Sequence, residues 1–402
     1  MSPSALVRPR PVHRADDLLS AYLPGSFYYS SPRGALLADG VRACVRRGQG
    51  SWADAAAEAL AGTSAEDAVV VGAIGFRRNS EASLVVPAVV RRADTPVDGL
   101  TATPAAFGAT SWSASPRPEP RRYVDGVRKA LELIDGGALS KVVLARCLEL
   151  TASTPVSVPS LISRLVRANP GAHAFAVDVT AGGDRAPRTL VGASPELLVA
   201  RRGDTVVANP LAGSLPRVTG DSAEADAENR RRIAALLASH KDRREHAHVT
   251  AQVADVLGRF CDELDVPAEP EVIGTPTMWH LSTRITGRPA DPADPSSSAL
   301  ALAEALHPTP AVCGVPAPAA HAAIADLEPE DRGYYSGMVG WTGPGGDGEW
   351  AVTIRSAEVC DRTVRLFAGA GIVAGSDPEA ELAETSAKFR TLLRALGVEG
   401  VA

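Results

Sequence analysis

No long hydrophobic run, no CxxC pair and no long cationic run occurs in this 402-residue sequence. Each absence removes a class of protein. Nowhere do about 18 apolar residues follow one another, the least that spans a bilayer as a helix, so a membrane protein is not expected. The five cysteines, Cys44, Cys147, Cys261, Cys313 and Cys360, are scattered, which fits neither a disulfide framework nor a zinc knuckle. Reduced, mostly buried thiols are the expectation. Net charge is −6 with acids and bases interspersed, so no basic surface stands ready to neutralise phosphates and nucleic acid is not expected as a partner. The first twenty residues carry Arg8, Arg10, Arg14, Asp16 and Asp17 and no unbroken apolar stretch, so a cytoplasmic protein without a secretory signal is expected. No internal repeat with a period on the order of 20–50 residues is found, which excludes solenoids and propellers.

What is present is an ordinary globular composition, 45% hydrophobic and 22% charged. Strand-like runs rich in Val, Ile or Leu and punctuated by Gly or Pro fall at 68–76, 83–90, 141–150, 189–200, 205–209, 350–359 and 363–368. Helix-like runs fall at 122–136, 158–168, 222–260, 297–306 and 379–396. This order is neither βαβ alternation nor all-β, and it predicts an α+β fold of antiparallel sheets with helices on their outer faces. The Pro/Ser/Arg-rich segment 111–122 reads as a linker or long loop between an N-terminal part, 1–110, and a larger region, 121–396. A weaker break covers 289–298, and neither is long enough to mark independent domains.

The last helix is introduced by Ser376-Asp377-Pro378, a cap residue followed by a proline suited to the first turn. Leu382, Phe389, Leu393 and Leu396 share one face, which should pack inward. Glu381, Glu384 and Lys388 stack along a neighbouring stripe at i, i+3 and i+7, where two acids beside a lysine can hold a hard cation and its ligand. An exposed Glu384–Lys388 ion pair, worth about 0.3–0.5 kcal/mol, accounts for the same residues. The segment SHKDRREHAH places Asp242 and Glu245 at i, i+3 on a second helix. Magnesium takes oxygen ligands and is often held by one or two carboxylates plus water and substrate oxygens, so one acid from each helix would suffice. The nearby His240, His246 and His248 lack zinc-protease spacing and read as surface or supporting residues.

Lys141 opens the strand SKVVLAR on the face shared by Val143 and Ala145. A lysine removed from water is biased toward its uncharged amine, the form that accepts a proton, whereas one at a strand end can instead snorkel to solvent. Glu196 lies in VGASPELLV, where Gly192 and Pro195 suggest a bend and apolar neighbours would raise a carboxyl pKa. It reads either as a proton donor or as an exposed turn residue. Arg355, in VTIRSAEV, can clamp a carboxylate bidentately. The segment AGAGIVAG, 368–375, lies between a strand and the last helix, where its amides could approach an anion, and it is a weak dinucleotide fingerprint.

Together these segments resemble the chorismate-utilising enzymes, a family that includes anthranilate, aminodeoxychorismate, isochorismate and salicylate synthases. The resemblance covers 121–396 and runs through SKVVLAR, GASPELL, NPLAGSLPR, SHKDRREH, TPTMWHL, LHPTPAVCG, DRGYYSGMVGW, VTIRSA, AGAGIV and DPEAELAETSAK in family order. FYYSSPRGALLADG, at 27–40, adds a looser similarity. The resemblance implies two antiparallel sheets packed as a sandwich with outer helices, with the N-terminal part integrated into the same fold. It implies Mg²⁺ held by Glu245 and Glu384 with Asp242 and Glu381 in support, Lys141 as the base that activates water, and Glu196 as the acid that protonates the departing hydroxyl. Arg355 would then pair with the pyruvyl carboxylate of chorismate, helped by Tyr335 and the amides around Gly369 and Gly371. Lys388, Gly213 and Ser214 would line the end where the metal holds the ring carboxylate, and His280 and Ala311 match further substrate-binding positions.

Within the family, Ala212 stands where the aminodeoxychorismate branch has a nucleophilic lysine, and the anthranilate branch generally lacks the lysine found at Lys141. The resemblance thus implies an isomerase that forms isochorismate, with LHPTPAVCG similar to members feeding 2,3-dihydroxybenzoate siderophores. The alternative is salicylate formation by subsequent loss of pyruvate. Leu215 and Val315 depart from an arginine and a threonine common in the family. A monomer is expected, because relatives are often monomeric.

Overall fold

The structure, a computed structural model, describes residues 14–398 except 64, 66–67, 78–79, 81, 94–109 and 182–185. Arg8 and Arg10, and most of the boundary expected near residue 110, lie outside the described residues.

Among the described residues every strand pairing is antiparallel, and two large sheets carry the fold. The first runs, edge to edge, through Gly314–Val315, Lys141–Ala152, Thr363–Val373, Ser356–Cys360, Arg188–Ser194, His173–Asp178, Phe27–Ser31, Gly34–Asp39 and Val89–Ala93, with Trp112–Arg117 also paired to Lys141–Ala152. The second runs through Cys261–Asp265, Ile285–Pro289, Thr205–Asn209, Leu197–Arg202, Gly348–Val352, Met338–Thr342, Val70–Ile74, Ala82–Val86 and Ala43–Cys44. A small third sheet holds Leu211–Pro216, Met278–Ser282 and Glu271–Gly274.

Alternation along the strands divides the apolar side chains between layers. Phe27, Tyr29, Phe175 and Leu190 from the first sheet meet Val69, Val71, Val339 and Ala351 from the second, which makes the inside of the sandwich. On the outer face of the first sheet, helices Ala15–Ser20, Val158–Ala168 and Pro378–Leu396 close over Leu148, Leu150 and Val364. On that of the second, Trp52–Ala61, His240–Leu257 and Ala299–Leu306 cover Val199, Val206 and Trp350. The last helix contributes buried Phe389, Leu392, Leu393 and Leu396 to this packing, each worth about 1.5–3 kcal/mol for complete burial. The α+β class and outer helices agree with expectation.

Several boundaries differ, and the differences position the site. The apolar run 189–200 is two strands in different sheets, Arg188–Ser194 and Leu197–Arg202, and the chain crosses between sheets at Pro195-Glu196. The run 350–359 is likewise two strands, Gly348–Val352 and Ser356–Cys360, crossing at Thr353 to Arg355. These crossings run side by side and bond to each other, Ala193 N donating to Arg355 O (3.1 Å) and Val352 N to Glu196 O (3.1 Å). The run 222–260 is two helices, Ala223–Ala238 and His240–Leu257, because Ser239 ends the first and caps the second by accepting from Asp242 N (3.2 Å). The segment expected to be a linker is instead the strand Trp112–Arg117, followed by the start of helix Pro120–Asp135. Strands from the first hundred residues sit in both sheets.

Candidate active site

Where the two crossings meet the third sheet, a small cavity of about 50 Å³ opens. One wall is regular. In strand Lys141–Ala152 the face carrying Lys141, Val143 and Ala145 lies opposite Val373, Gly371 and Gly369 of Thr363–Val373. The amides of Val143 and Ala145 turn away, to Cys313 O (2.7 Å) and Glu328 Oε1 (2.7 Å), so the backbone edges of Gly369 and Gly371 also face away from that ladder. Lys388 Nζ takes the carbonyl of Gly369 at 2.8 Å. A Cβ on Gly371 would strike the carboxylate of Glu245 and stand 3.1 Å from Lys141 Cε, so only glycine lets these side chains lie against the strand.

Lys141 is wholly buried, with Nζ 3.0 Å from Glu245 Oε1. The two helices predicted to supply acids converge here. Glu384 pairs with Lys388 at 2.6 Å and Glu381 with Lys241 at 2.8 Å, while Glu381 Oε2 is buried without a hydrogen-bond partner among the described residues. Burial pushes the Glu245 carboxyl up, but Lys141 and Lys241 outweigh it and hold the pKa below the usual value. Glu381 moves the other way, raised by burial and then by Glu384 against the pull of Lys241. Asp242 is also raised, mainly by burial.

The opposite wall is irregular. Glu196 is 3% exposed at its crossing, and burial raises its pKa to about 7 against the lowering effects of the Leu211 amide, Lys141 and Arg355. Arg355 has φ of 51°, a left-handed conformation that costs a non-glycine residue on the order of 1–3 kcal/mol, at the point where the chain changes sheets. Its NH2 donates to His280 Nε2 at 3.3 Å, and His280 Nδ1 lies 2.7 Å from Ser214 Oγ. Burial, then the Arg355 and Lys388 charges, keep His280 well below its ordinary pKa. Gly213, at φ +77°, makes the bulge before Ser214, and a Cβ there would press on Asp242 Cβ at 3.0 Å. Tyr335 stacks on Phe367 with ring centroids 5.3 Å apart.

Basic groups that recognise carboxylates therefore face a raised acid and a buried lysine–carboxylate cluster in one enclosure. The chain matches the family described as "Chorismate binding enzyme" over residues 60–397. It is 47% identical over 397 residues to isochorismate synthase DhbC of Bacillus subtilis, covering 96% of this chain and 98% of that one. This chain belongs to the chorismate-binding enzyme family. Among solved structures it is similar to a putative 2,3-dihydroxybenzoate-specific isochorismate synthase, DhbC, from Bacillus anthracis, with TM-score 0.88, 41% identity and coverage of 96% and 100%. The menaquinone-specific isochorismate synthase MenF of Escherichia coli matches with TM-score 0.79 and 25% identity, over 96% of this chain and 92% of that one.

In this chorismate-binding enzyme, twelve of the fifteen residues singled out from sequence line the cavity: Glu196, Gly213, Ser214, Glu245, His280, Ala311, Tyr335, Arg355, Gly369, Gly371, Glu384 and Lys388. Lys141 lies one layer behind, against Glu245 and Gly371, and Asp242, beside Gly213, and Glu381, paired with Lys241, are likewise outside the lining. The Glu384–Lys388 pair is not the exposed surface contact that the last helix alone also allowed, since its side chains are only 18% and 13% exposed. The segment 368–373 is interior strand rather than a loop before the helix. His246, read as a surface or supporting residue, is buried, with Nε2 2.7 Å from Thr283 Oγ1, and burial lowers its pKa to about 4.

Two contributors escaped the sequence reading. Lys241 holds Glu381 and sat unremarked inside SHKDRREH. Arg332, buried and paired with Glu328 at 2.5 Å, also donates to Val312 O (2.7 Å) and Val143 O (2.8 Å), tying the lysine strand to the loop that carries Ala311. Its signal was the charged pair Asp331-Arg332 opening the otherwise uncharged, glycine-rich block DRGYYSGMVGW.

Proposed function

We propose that this chain is an isochorismate synthase, an isomerase that adds water to ring carbon 2 of chorismate and expels the hydroxyl on carbon 4, in the branch that supplies 2,3-dihydroxybenzoate for siderophores. The observation that carries the proposal is a cavity lined by Glu196, whose pKa is raised to about 7, and by Glu245, behind which the buried Lys141 lies at 3.0 Å. Arg355 and the edges of Gly369 and Gly371 bind the pyruvyl carboxylate, and Ser214 and Lys388 flank the ring carboxylate. The Lys141 amine takes a proton from the attacking water as its oxygen bonds to carbon 2. The ring double bonds shift, the carbon 4–oxygen bond breaks, and Glu196 donates the proton that lets the hydroxyl leave as water. Proton and oxygen balance, so no oxidant or reductant enters. The apolar walls at Val143, Leu211, Val312 and Ile354 hold other water away from the ring.

The acids fit a Mg²⁺ ion. Among the described residues no group of three or more Asp, Glu, His or Cys side chains is placed to hold a metal ion. Magnesium does not require one, since one or two carboxylates with water and substrate oxygens complete its shell. The buried Glu381 Oε2, without a hydrogen-bond partner among the described residues, and Glu245 and Glu384 in the cavity lining are hard oxygen donors of this kind. Glu245 and Glu384 would hold the ion, with Asp242 and Glu381 behind them. When bound, it would offset the ring carboxylate charge.

Incubating the purified protein with chorismate and Mg²⁺ and resolving the products tests this reading. Isochorismate alone is expected. Salicylate with pyruvate would move the assignment to salicylate synthase, and anthranilate formed with ammonium would overturn both.

A further inference from the structure

His280 is buried at the cavity wall, and both of its ring nitrogens are taken by protein groups. No polar atom of the ring remains to meet a ligand, so a direct substrate-binding role does not fit it. The identity of the partners fixes where the hydrogens go. A guanidinium only donates, so Arg355 NH2 at 3.3 Å requires a lone pair on His280 Nε2. A neutral imidazole with a lone pair on Nε2 carries its hydrogen on Nδ1, and Nδ1 therefore donates to Ser214 Oγ at 2.7 Å. Ser214 Oγ has thereby accepted, and its own hydrogen has no other acceptor among the described residues. Ser214 lines the cavity, on the face it shares with His280 through their direct pairing across Leu211–Pro216 and Met278–Ser282.

We propose that His280 is a positioning residue: the donation from Arg355 fixes its Nδ1–H tautomer, and that hydrogen turns the Ser214 hydroxyl outward as a donor to a carboxylate oxygen of the bound substrate. One arginine thus acts at both ends of the ligand, directly on one carboxylate and through a neutral ring on the other. The burial that keeps His280 far below its ordinary pKa suits this role, because an imidazolium would have no lone pair for Arg355. The two crossings supply the geometry, since Arg355 reaches His280 from its left-handed bend and Gly213 sets Ser214 opposite the ring.

This inference rests on the cavity being the chorismate site, and its tests separate the two claims. Nitrogen-15 NMR of ligand-free, histidine-labelled protein should show His280 as the Nδ1–H tautomer. An Nε2–H ring or an imidazolium would overturn the relay whatever the enzyme makes. Kinetically, Ser214→Ala and His280→Ala should each lower kcat/KM roughly tenfold to a hundredfold, carried by KM, the range expected for one lost hydrogen bond to a charged group. The double variant should fall within about twofold of the worse single, because the second change removes nothing further. Multiplying effects would mean that the two act separately and the relay is wrong. Should His280→Ala fail to fold, the tautomer of the unsubstituted protein still decides. If the unsubstituted protein folds, shows the Nδ1–H ring and makes no isochorismate from chorismate, the functional assignment falls and the carboxylate-directed hydroxyl falls with it. An Nε2–H ring in an active isochorismate synthase removes the relay alone.

Discussion

The two ends of the cavity are built in different ways. At the lysine end the polar groups stand on a regular strand and two regular helices, and the spacing of Lys141, Val143 and Ala145, of Asp242 and Glu245, and of Glu381, Glu384 and Lys388 brings them together. At the acid end, Glu196 and Arg355 stand where the chain leaves one sheet for the other, and His280 and Ser214 face each other beside a bulge. The contrast shows two ways of holding charge out of water. Regular elements pair acids with lysines, whereas the crossings leave a carboxyl unpaired and raise its pKa to about 7.

The largest effect should come from the regular end. Lys141→Ala should lower kcat by roughly 10⁴-fold, the upper range for one acid–base group, with the circular dichroism spectrum unchanged. Retention of a tenth of the rate would remove Lys141 as the base. At the crossing, Glu196→Gln should lower kcat by roughly 10³-fold. Because the protonated acid is the working form, the unsubstituted enzyme should lose rate as pH rises through about 7, and the variant should lose that limb. A rate that climbs through pH 7 and 8 would contradict the assignment.

The same residue makes a stability prediction. A carboxyl group raised from 4.5 to about 7 binds its proton more tightly in the folded chain, so its contribution is full below about pH 4.5 and is lost as pH rises through about 7. The loss is on the order of 3 kcal/mol, and Glu196→Gln should remove that pH dependence from urea unfolding. Parallel curves for the two proteins between pH 5 and 8 would show that Glu196 does not titrate as described. The smallest effect is expected for Arg355→Lys, which keeps the charge and loses the fork: kcat/KM should drop roughly tenfold to a hundredfold. A drop as large as that of Lys141→Ala would erase the distinction between the ends.

Legibility in the sequence followed the same division. Acids at i, i+3 and a lysine on an apolar strand face obey fixed periods, so spacing put them on shared faces, while their burial in one site was implied only by the family resemblance. The crossings have no period. The runs 189–200 and 350–359 stay apolar throughout because the interiors of both sheets are apolar, and nothing in that pattern shows where the chain changes sheets. Gly192 and Pro195 gave the local hint, and the roles of His280, Ser214, Tyr335 and Ala311 could be read only through resemblance to a family. Segment 111–122 was misread for a physical reason too: Trp112–Arg117 is an outer strand whose side chains are alternately half-buried and exposed, and its prolines and serines look like a loop.

The matched family region begins at residue 60, yet Phe27–Ser31, which precedes it, is hydrogen-bonded to His173–Asp178, and inside it Val70–Ile74 is bonded to Met338–Thr342. Cutting the chain near residue 110 would therefore not release a smaller working enzyme. It would bare one long edge on each sheet, with unpaired amides and carbonyls open to any other strand, and the shortened protein should come out of the cell as aggregate.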